Sequence, residues 1–164
     1  MLVGRNPCCR RHQRGFTLIE LVTSITVVAV LSTLALPNFR QFVANQRIRN
    51  ASFDLMAALS LARSEAVTRG GKSVTLTKTS TTWDQGWTMK DDSGNLIQTQ
   101  QAFNDLSIAD SASLGAVSYG KDGRAITTST KFTIAPTTPM TGVNSRCVSI
   151  GLSGVPSSSV GACP

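Results

Sequence analysis

The sequence predicts an α+β chain in which one long N-terminal helix packs on a C-terminal head of short antiparallel strands. Three observations predict it. Residues 16–36 read FTLIELVTSITVVAVLSTLAL, with Glu20 as the single charge. From Ile48 to Ala66 apolar residues recur at three- and four-residue spacing, the period of a helix with one buried face. Beyond Gly71 the period changes to two, and Thr, Gly and Asp become frequent. A chain of 164 residues holds one modest domain plus an extra segment. With 41% hydrophobic and 15% charged residues it is not a disordered chain.

The net charge of +7 first suggests a nucleic-acid partner, but its location weakens that reading. Arg5, Arg10, Arg11 and Arg14 lie in the first 14 residues with no acid among them, alongside His12, Cys8 and Cys9. The apolar run that follows rises about 1.5 Å per residue as a helix and so spans about 31 Å, the thickness of a bilayer core. Its basic flank predicts a cytoplasmic N-terminus and an exported C-terminal bulk.

An ordinary secretory signal peptide is the plain alternative, but the run exceeds the usual 7–15-residue apolar region. Pro37-Asn38-Phe39-Arg40 follows it, where a small-x-small cleavage site would stand. A simple signal anchor leaves Glu20 unexplained. A carboxylate inside an apolar membrane helix costs several kcal/mol unless it finds a partner. Cleavage between Gly15 and Phe16 would create one, the α-amino group of Phe16, one helical turn from Glu20.

Gly15-Phe16-Thr17-Leu18-Ile19-Glu20, behind a basic leader and ahead of an apolar helix with Pro37, resembles the class III signal of type IV pilins and type II secretion pseudopilins. The resemblance implies that a prepilin peptidase cuts after Gly15 and methylates the amine of Phe16. It implies that Glu20 pairs with the amine of a neighbouring subunit during assembly, and that Pro37 kinks the helix. The leader of 15 residues, with Pro7-Cys8-Cys9, is longer than many in that family.

The expected organisation is a cleaved leader (1–15), a transmembrane and assembly helix (16–36), its amphipathic continuation (37–70) and a periplasmic β-rich head (71–164). With the leader removed, 12 cations face 9 acids, a side-chain balance of +3. No histidine remains, which removes Ser-His-Asp, Cys-His and His-metal chemistry. Cys147 and Cys163 remain, and a lone pair in the periplasm is expected to form a disulfide closing the C-terminal strand and its tail. A zinc site with two cysteines and no histidine is the weaker alternative.

Past Pro37, Phe39, Phe42 and Val43 are expected to continue the apolar helix face. Ile48, Ala51, Leu55, Leu59, Ala62 and Ala66 form a stripe that packs on the head or, less favoured, on a partner. Gly70-Gly71 is expected to cap it. Lys72–Thr79 alternates as a strand. Gly86–Lys90 and Leu96–Thr99 flank Asp91-Asp92-Ser93-Gly94-Asn95 as a hairpin. Val117–Tyr119 and Ala125–Thr127 are expected to form a second hairpin around Gly120–Arg124. Lys131–Ile134 and Cys147–Ile150 are further strands, Pro136–Ser145 is a loop, and the head totals about six to eight strands.

The order of long helix, Trp83…Gly86-Trp87, Tyr119-Gly120-Lys121-Asp122-Gly123-Arg124 and Cys-bounded final strand resembles the GspH/FimT family of minor pilins and H-type pseudopilins. LARSEAVTRG at the helix end belongs to the same likeness. The C-terminal cysteine pair is closer to its FimU/FimT minor-pilin branch.

Chemistry is absent from this pattern, and no catalytic residue, metal site or cofactor is expected. Asp91–Asn95 lacks the spaced carboxylates and terminal Glu of a calcium loop and reads as a solvated turn. Gly120–Gly123 is not a P-loop. Trp83 and Trp87 read as core rather than as a ligand platform. Some relatives bind DNA through a C-terminal Gly-Arg-x-Arg element, but Ser153-Gly154-Val155-Pro156 carries no arginine. Lys121, Arg124 and Lys131 across one hairpin, with Arg146 nearby, are the remaining candidates for a weak nucleic-acid contact.

The resulting expectation is a non-enzymatic minor pilin of a type IV pilus that primes or caps filament assembly near the tip. An H-type pseudopilin and a DNA-binding transformation pilin are the alternatives. Expected partners are other pilins or pseudopilins, the prepilin peptidase and the inner-membrane assembly platform.

Overall fold

A run of 51 residues without glycine, Leu18–Thr68, forms the single long helix α1. Thr17 begins it: its hydroxyl accepts the Glu20 N–H at 3.3 Å and its carbonyl accepts the Leu21 N–H. The computed structural model describes residues 15–68 and 72–164. The basic leader up to Arg14 and the expected Gly70-Gly71 cap lie outside the described residues. Contacts divide the chain into two units, one ending at Asn38 and one running from Phe39 to Pro164.

In the second unit the predicted stripe is the helix's buried face. Ile48, Ala51, Leu55, Leu59, Ala62 and Ala66 are all buried, joined by Ala58 and Ser52. Four alanines on that face let the backbone approach the sheets closely. Phe39 and Phe42 do not continue it: both are exposed. At 100° per residue they fall roughly 120–180° around the helix from Ile48, so they cannot share its core contacts.

Eight strands follow. They are β1 (Val74–Lys78), β2 (Trp87–Asp91), β3 (Leu96–Gln100), β4 (Leu106–Asp110), β5 (Ala116–Tyr119), β6 (Thr130–Pro136), β7 (Arg146–Ile150) and β8 (Pro156–Val160). They make two four-stranded antiparallel sheets, ordered β3-β2-β1-β5 and β4-β6-β7-β8. Alternation aims one face of each at the helix. Leu76 pairs with Met89 and Val117 in the first sheet, and Phe132 pairs with Val148 in the second. All of these side chains share one core.

Trp83, in a 3-10 turn before β2, stacks edge-on against Phe132 with ring centroids 5.2 Å apart. Trp87 meets Trp83 at 6.5 Å and Phe103 at 5.7 Å. Both tryptophans are buried, so the aromatic pair seals the space between the sheets rather than offering a ligand platform.

The β2–β3 hairpin forms about Asp91–Asn95 as its turn chemistry demands, with Gly94 in the left-handed region. The second expected hairpin is reduced. After β5 the only pairing is an isolated bridge, Tyr119 to Ala125, and 125–127 make no strand. The chain must leave the first sheet there to supply β6 to the second. The expected final strand, Cys147–Ile150, is β7 and not the last. The Ser-rich Pro156–Val160 pairs along it as β8, an edge strand that needs little apolar surface. β4, also an unpredicted strand, pairs with β6.

Candidate functional site

The sequence-predicted assembly residues lie at the start of α1. Gly15, Phe16 and Thr17 precede the helix in non-helical backbone, and Phe16 is 77% exposed. Thr17 and Glu20 occupy the two positions of a capping box, a Thr-x-x-Glu pattern present in the sequence but not used in reading it. Glu20 thus stands in the first turn, where the helix dipole favours a negative charge.

The rest of the apolar segment hides its polarity. Five hydroxyls occur between Leu18 and Leu36, and each donates to a carbonyl of its own helix. Thr23 and Ser24 reach Glu20 O at 3.0 and 2.7 Å, and Thr26 reaches Val22 O at 2.8 Å. Ser32 reaches Val28 O and Thr33 reaches Val30 O, both at 2.7 Å. Such back-bonding satisfies the hydroxyls without water. The Glu20 carboxylate is then the one charged group that a non-aqueous neighbourhood would have to satisfy from outside.

Pro37 stands inside α1 and has no N–H to give to the Thr33 carbonyl. By length and composition, no single helix among the described residues is long and apolar enough to cross a membrane; Leu18–Thr33 and Asn38–Thr68 meet that criterion only together.

In the head, Cys147 and Cys163 form a disulfide with Cα atoms 4.9 Å apart. It ties β7 to the tail beyond β8, and the Cys163 N–H adds a bond to Thr133 Oγ1 at 3.2 Å. On the helix-facing side of the same sheet, Arg146 donates to Ser158 Oγ at 3.2 Å, and Ser158 lies 3.0 Å from Ser52 Oγ on α1. This polar bridge pins the edge strand β8 to the helix.

The four candidate nucleic-acid contacts do not gather on one hairpin. Lys121 and Arg124 sit in the turn after β5, whose Gly123 carbonyl accepts Arg63 Nε–H at 2.9 Å. Lys131 is on β6 in the other sheet, and its Nζ donates to the Pro164 carbonyl at 3.0 Å. The register places Arg146 opposite Ile134, on the core side, whereas Lys131 is on the outer side. Sheet alternation therefore separates residues that sequence proximity suggested joining.

Asp91 organises its turn, with Lys72 Nζ donating to Ser93 Oγ at 2.6 Å. Its Oδ1 accepts the N–H groups of Ser93 and Asn95 at 3.0 and 2.8 Å, and its Oδ2 accepts Asn95 Nδ2–H at 2.9 Å. The Asn95 amide, with the turn N–H groups and Lys72, holds this carboxyl below the usual carboxylate range, although desolvation opposes them. Among the described residues no cluster of three or more His, Cys, Asp or Glu could hold a metal.

Comparison with known proteins agrees with this architecture. The family model described as "Prokaryotic N-terminal methylation motif" matches residues 10–36, and that described as "Type II transport protein GspH" matches residues 51–154, more than half of the chain. The chain belongs to the GspH family. As a GspH-family member carrying the methylation motif, it is a membrane-anchored, pilin-like structural subunit. A fimbrial protein of Pseudomonas aeruginosa is 32% identical over 79 residues, 48% of this chain and 51% of that protein. The type IV major pilin protein PilA of Myxococcus xanthus is 37% identical over 53 residues, 32% of this chain and 24% of that one. The chain spans about half the length, or less, of these curated relatives. The crystal structure of the P. aeruginosa type IV minor pilin FimU matches with a TM-score of 0.58 at 21% identity, covering 75% of this chain and 92% of FimU. At that identity the likeness shows the pilin fold.

Proposed function

We propose that this GspH-family chain is a minor pilin of a type IV pilus. Its head is exported to the periplasm, and its N-terminus stays cytoplasmic until a prepilin peptidase cuts between Gly15 and Phe16. The observation that carries the reading is the apolar segment whose hydroxyls are all back-bonded while Glu20 is left to an outside partner. Non-helical backbone at Gly15–Thr17 leaves the scissile bond open to a peptidase. The freed, methylated amine of Phe16 on a neighbouring subunit then satisfies Glu20, and only one axial offset between two helices serves both charges. The missing Pro37 N–H gives α1 a place to bend as the segment passes from bilayer to filament.

The family model's own description favours a second reading, a minor pseudopilin of a type II secretion system. An in-frame deletion with complementation, scored in parallel for surface pili and for secreted hydrolases, separates the two. Lost pili with normal secretion is the expected result. Lost secretion with intact pili would transfer the chain to the secretion machine. Gly15→Ala is expected to block processing, and its efficient cleavage would remove the peptidase assignment.

A further inference from the structure

N-terminal to Ile48, α1 is no longer fully covered by the rest of its unit. On one flank, Asn45 Nδ2 donates to Gly142 O at 3.0 Å and Asn45 Oδ1 accepts Asn144 N–H at 3.1 Å, clamping the helix to the loop after β6. On the other flank, Arg40, Val43 and Arg47 open onto a cleft of about 890 Å³. Phe103 and Leu106 line it from the segment before and into β4, and Met140 from the loop after β6. Arg47 is already engaged by Asp105 in an ion pair. Arg40, also on the lining, is exposed and has no ion pair among the described residues.

We propose that this cleft seats a phospholipid of the bilayer, with apolar chain against Phe103, Leu106 and Met140 and phosphate on the Arg40 guanidinium. The proposal rests on the reading that residues 16–36 lie in the membrane. Phe39 and Arg40 are three and four residues past Leu36, so whatever the path of the chain they lie within about 11–14 Å of the end of that segment. The headgroup zone is itself about 5–8 Å deep on each side. With the length of its side chain, Arg40 can therefore reach the lipid headgroups.

The cleft also carries two acids, Asp105, paired with Arg47, and Asp84, which accepts from Gln85 Nε2 at 3.1 Å, so the Arg40 guanidinium is the charge that decides between a lipid and a neighbouring subunit's apolar helix. A guanidinium accepts a phosphate bidentately. The apolar segment of a second copy offers no anion but Glu20, which is committed to the amine of Phe16.

The test uses the full processed chain in nanodiscs of phosphatidylcholine with and without phosphatidylglycerol. A photoreactive phenylalanine analogue replaces Phe103 or, should that site disturb folding, Thr138 on the same cleft. Leu96, exposed on β3, is the control position. Irradiation is expected to give lipid adducts at the cleft position and few at Leu96. Arg40→Glu is expected to lower them about tenfold, the scale of one charge-assisted hydrogen bond, while Arg49→Glu leaves them unchanged. Equal yields at cleft and control, adducts between two protein chains, or indifference to Arg40→Glu would each overturn the proposal. Co-elution of the chain with the discs is read in the same sample. A chain that stays outside the discs would overturn the membrane reading itself, and the lipid site with it.

Discussion

Helix α1 carries two apolar surfaces that meet different fates. Between Ile48 and Ala66 most apolar residues keep to one stripe that the head covers, with Phe53 and Leu61 left exposed outside it. Between Leu18 and Leu36 they surround the helix, and side chains such as Leu18, Val28 and Leu31 remain more than half exposed. The stripe completes its burial within its own chain; the first segment awaits a bilayer or other subunits. The hydroxyls of the first segment all bond back to their own helix; in the second, Thr68 does the same while Ser52 reaches across to Ser158 on β8.

The sharpest way to break this comparison is Glu20→Ala. Cleavage should proceed normally while incorporation into filaments falls more than tenfold, because several kcal/mol of carboxylate–amine pairing are lost and each 1.4 kcal/mol is about tenfold. Immunoblots of sheared filaments against whole cells read this directly. Wild-type incorporation of the variant would show that Glu20 does not set the register.

Two leucines separate the surfaces next. Leu59→Ala, in the covered stripe, should lower the unfolding free energy of the head by about 2–5 kcal/mol, as buried leucine truncations do. Leu31→Ala, in the uncovered run, should change it by less than about 0.5 kcal/mol. Denaturant titration of the processed protein in detergent, followed by tryptophan fluorescence from Trp83 and Trp87, measures both. A comparable loss for Leu31→Ala would break the contrast between the two surfaces.

The disulfide belongs wholly to the head side. Closing a 16-residue separation is expected to contribute about 3 kcal/mol by the chain-entropy estimate. The double variant Cys147→Ser, Cys163→Ser should lose about that much in the same titration and leave cleavage at Gly15 untouched.

The legibility of the sequence follows the same boundary. The Ile48–Ala66 stripe was readable because it depends on spacing along one helix. The β2–β3 hairpin was readable because Asp91–Asn95 encodes its turn locally. β4 and β8 were not, since each is an edge strand and β8 turns a half-buried serine, Ser158, to the core side, where alternation would call for an apolar residue. The chain also changes sheets between β4, β5 and β6, a non-local choice without a local signal. Lys131 and Arg146 parted for that reason: their faces depend on register, which the sequence around them does not specify. The cleft beside Arg40 was unreadable because four segments distant in sequence line it.

The smallest expected effect tests how complete the head's burial is. Tyr119 on β5 is fully buried, and its hydroxyl has no hydrogen-bond partner. Desolvation pushes its pKa up to about 12, even though the nearby Arg63 charge pulls the other way. The folded state therefore favours the protonated phenol. That preference costs nothing below the unfolded value near 10 and is felt as stability lost while pH rises from about 10 to about 12, because the unfolded chain ionises first. Tyr119→Phe removes the unpartnered group along with its titration. It should leave neutral-pH stability unchanged or raise it by up to about 1 kcal/mol, since a buried polar group without a partner is a cost. It should also flatten the alkaline limb of the stability profile between those two values. A loss of stability at neutral pH would instead reveal that the hydroxyl is bonded, and that the head's core beside Gly154 admits water.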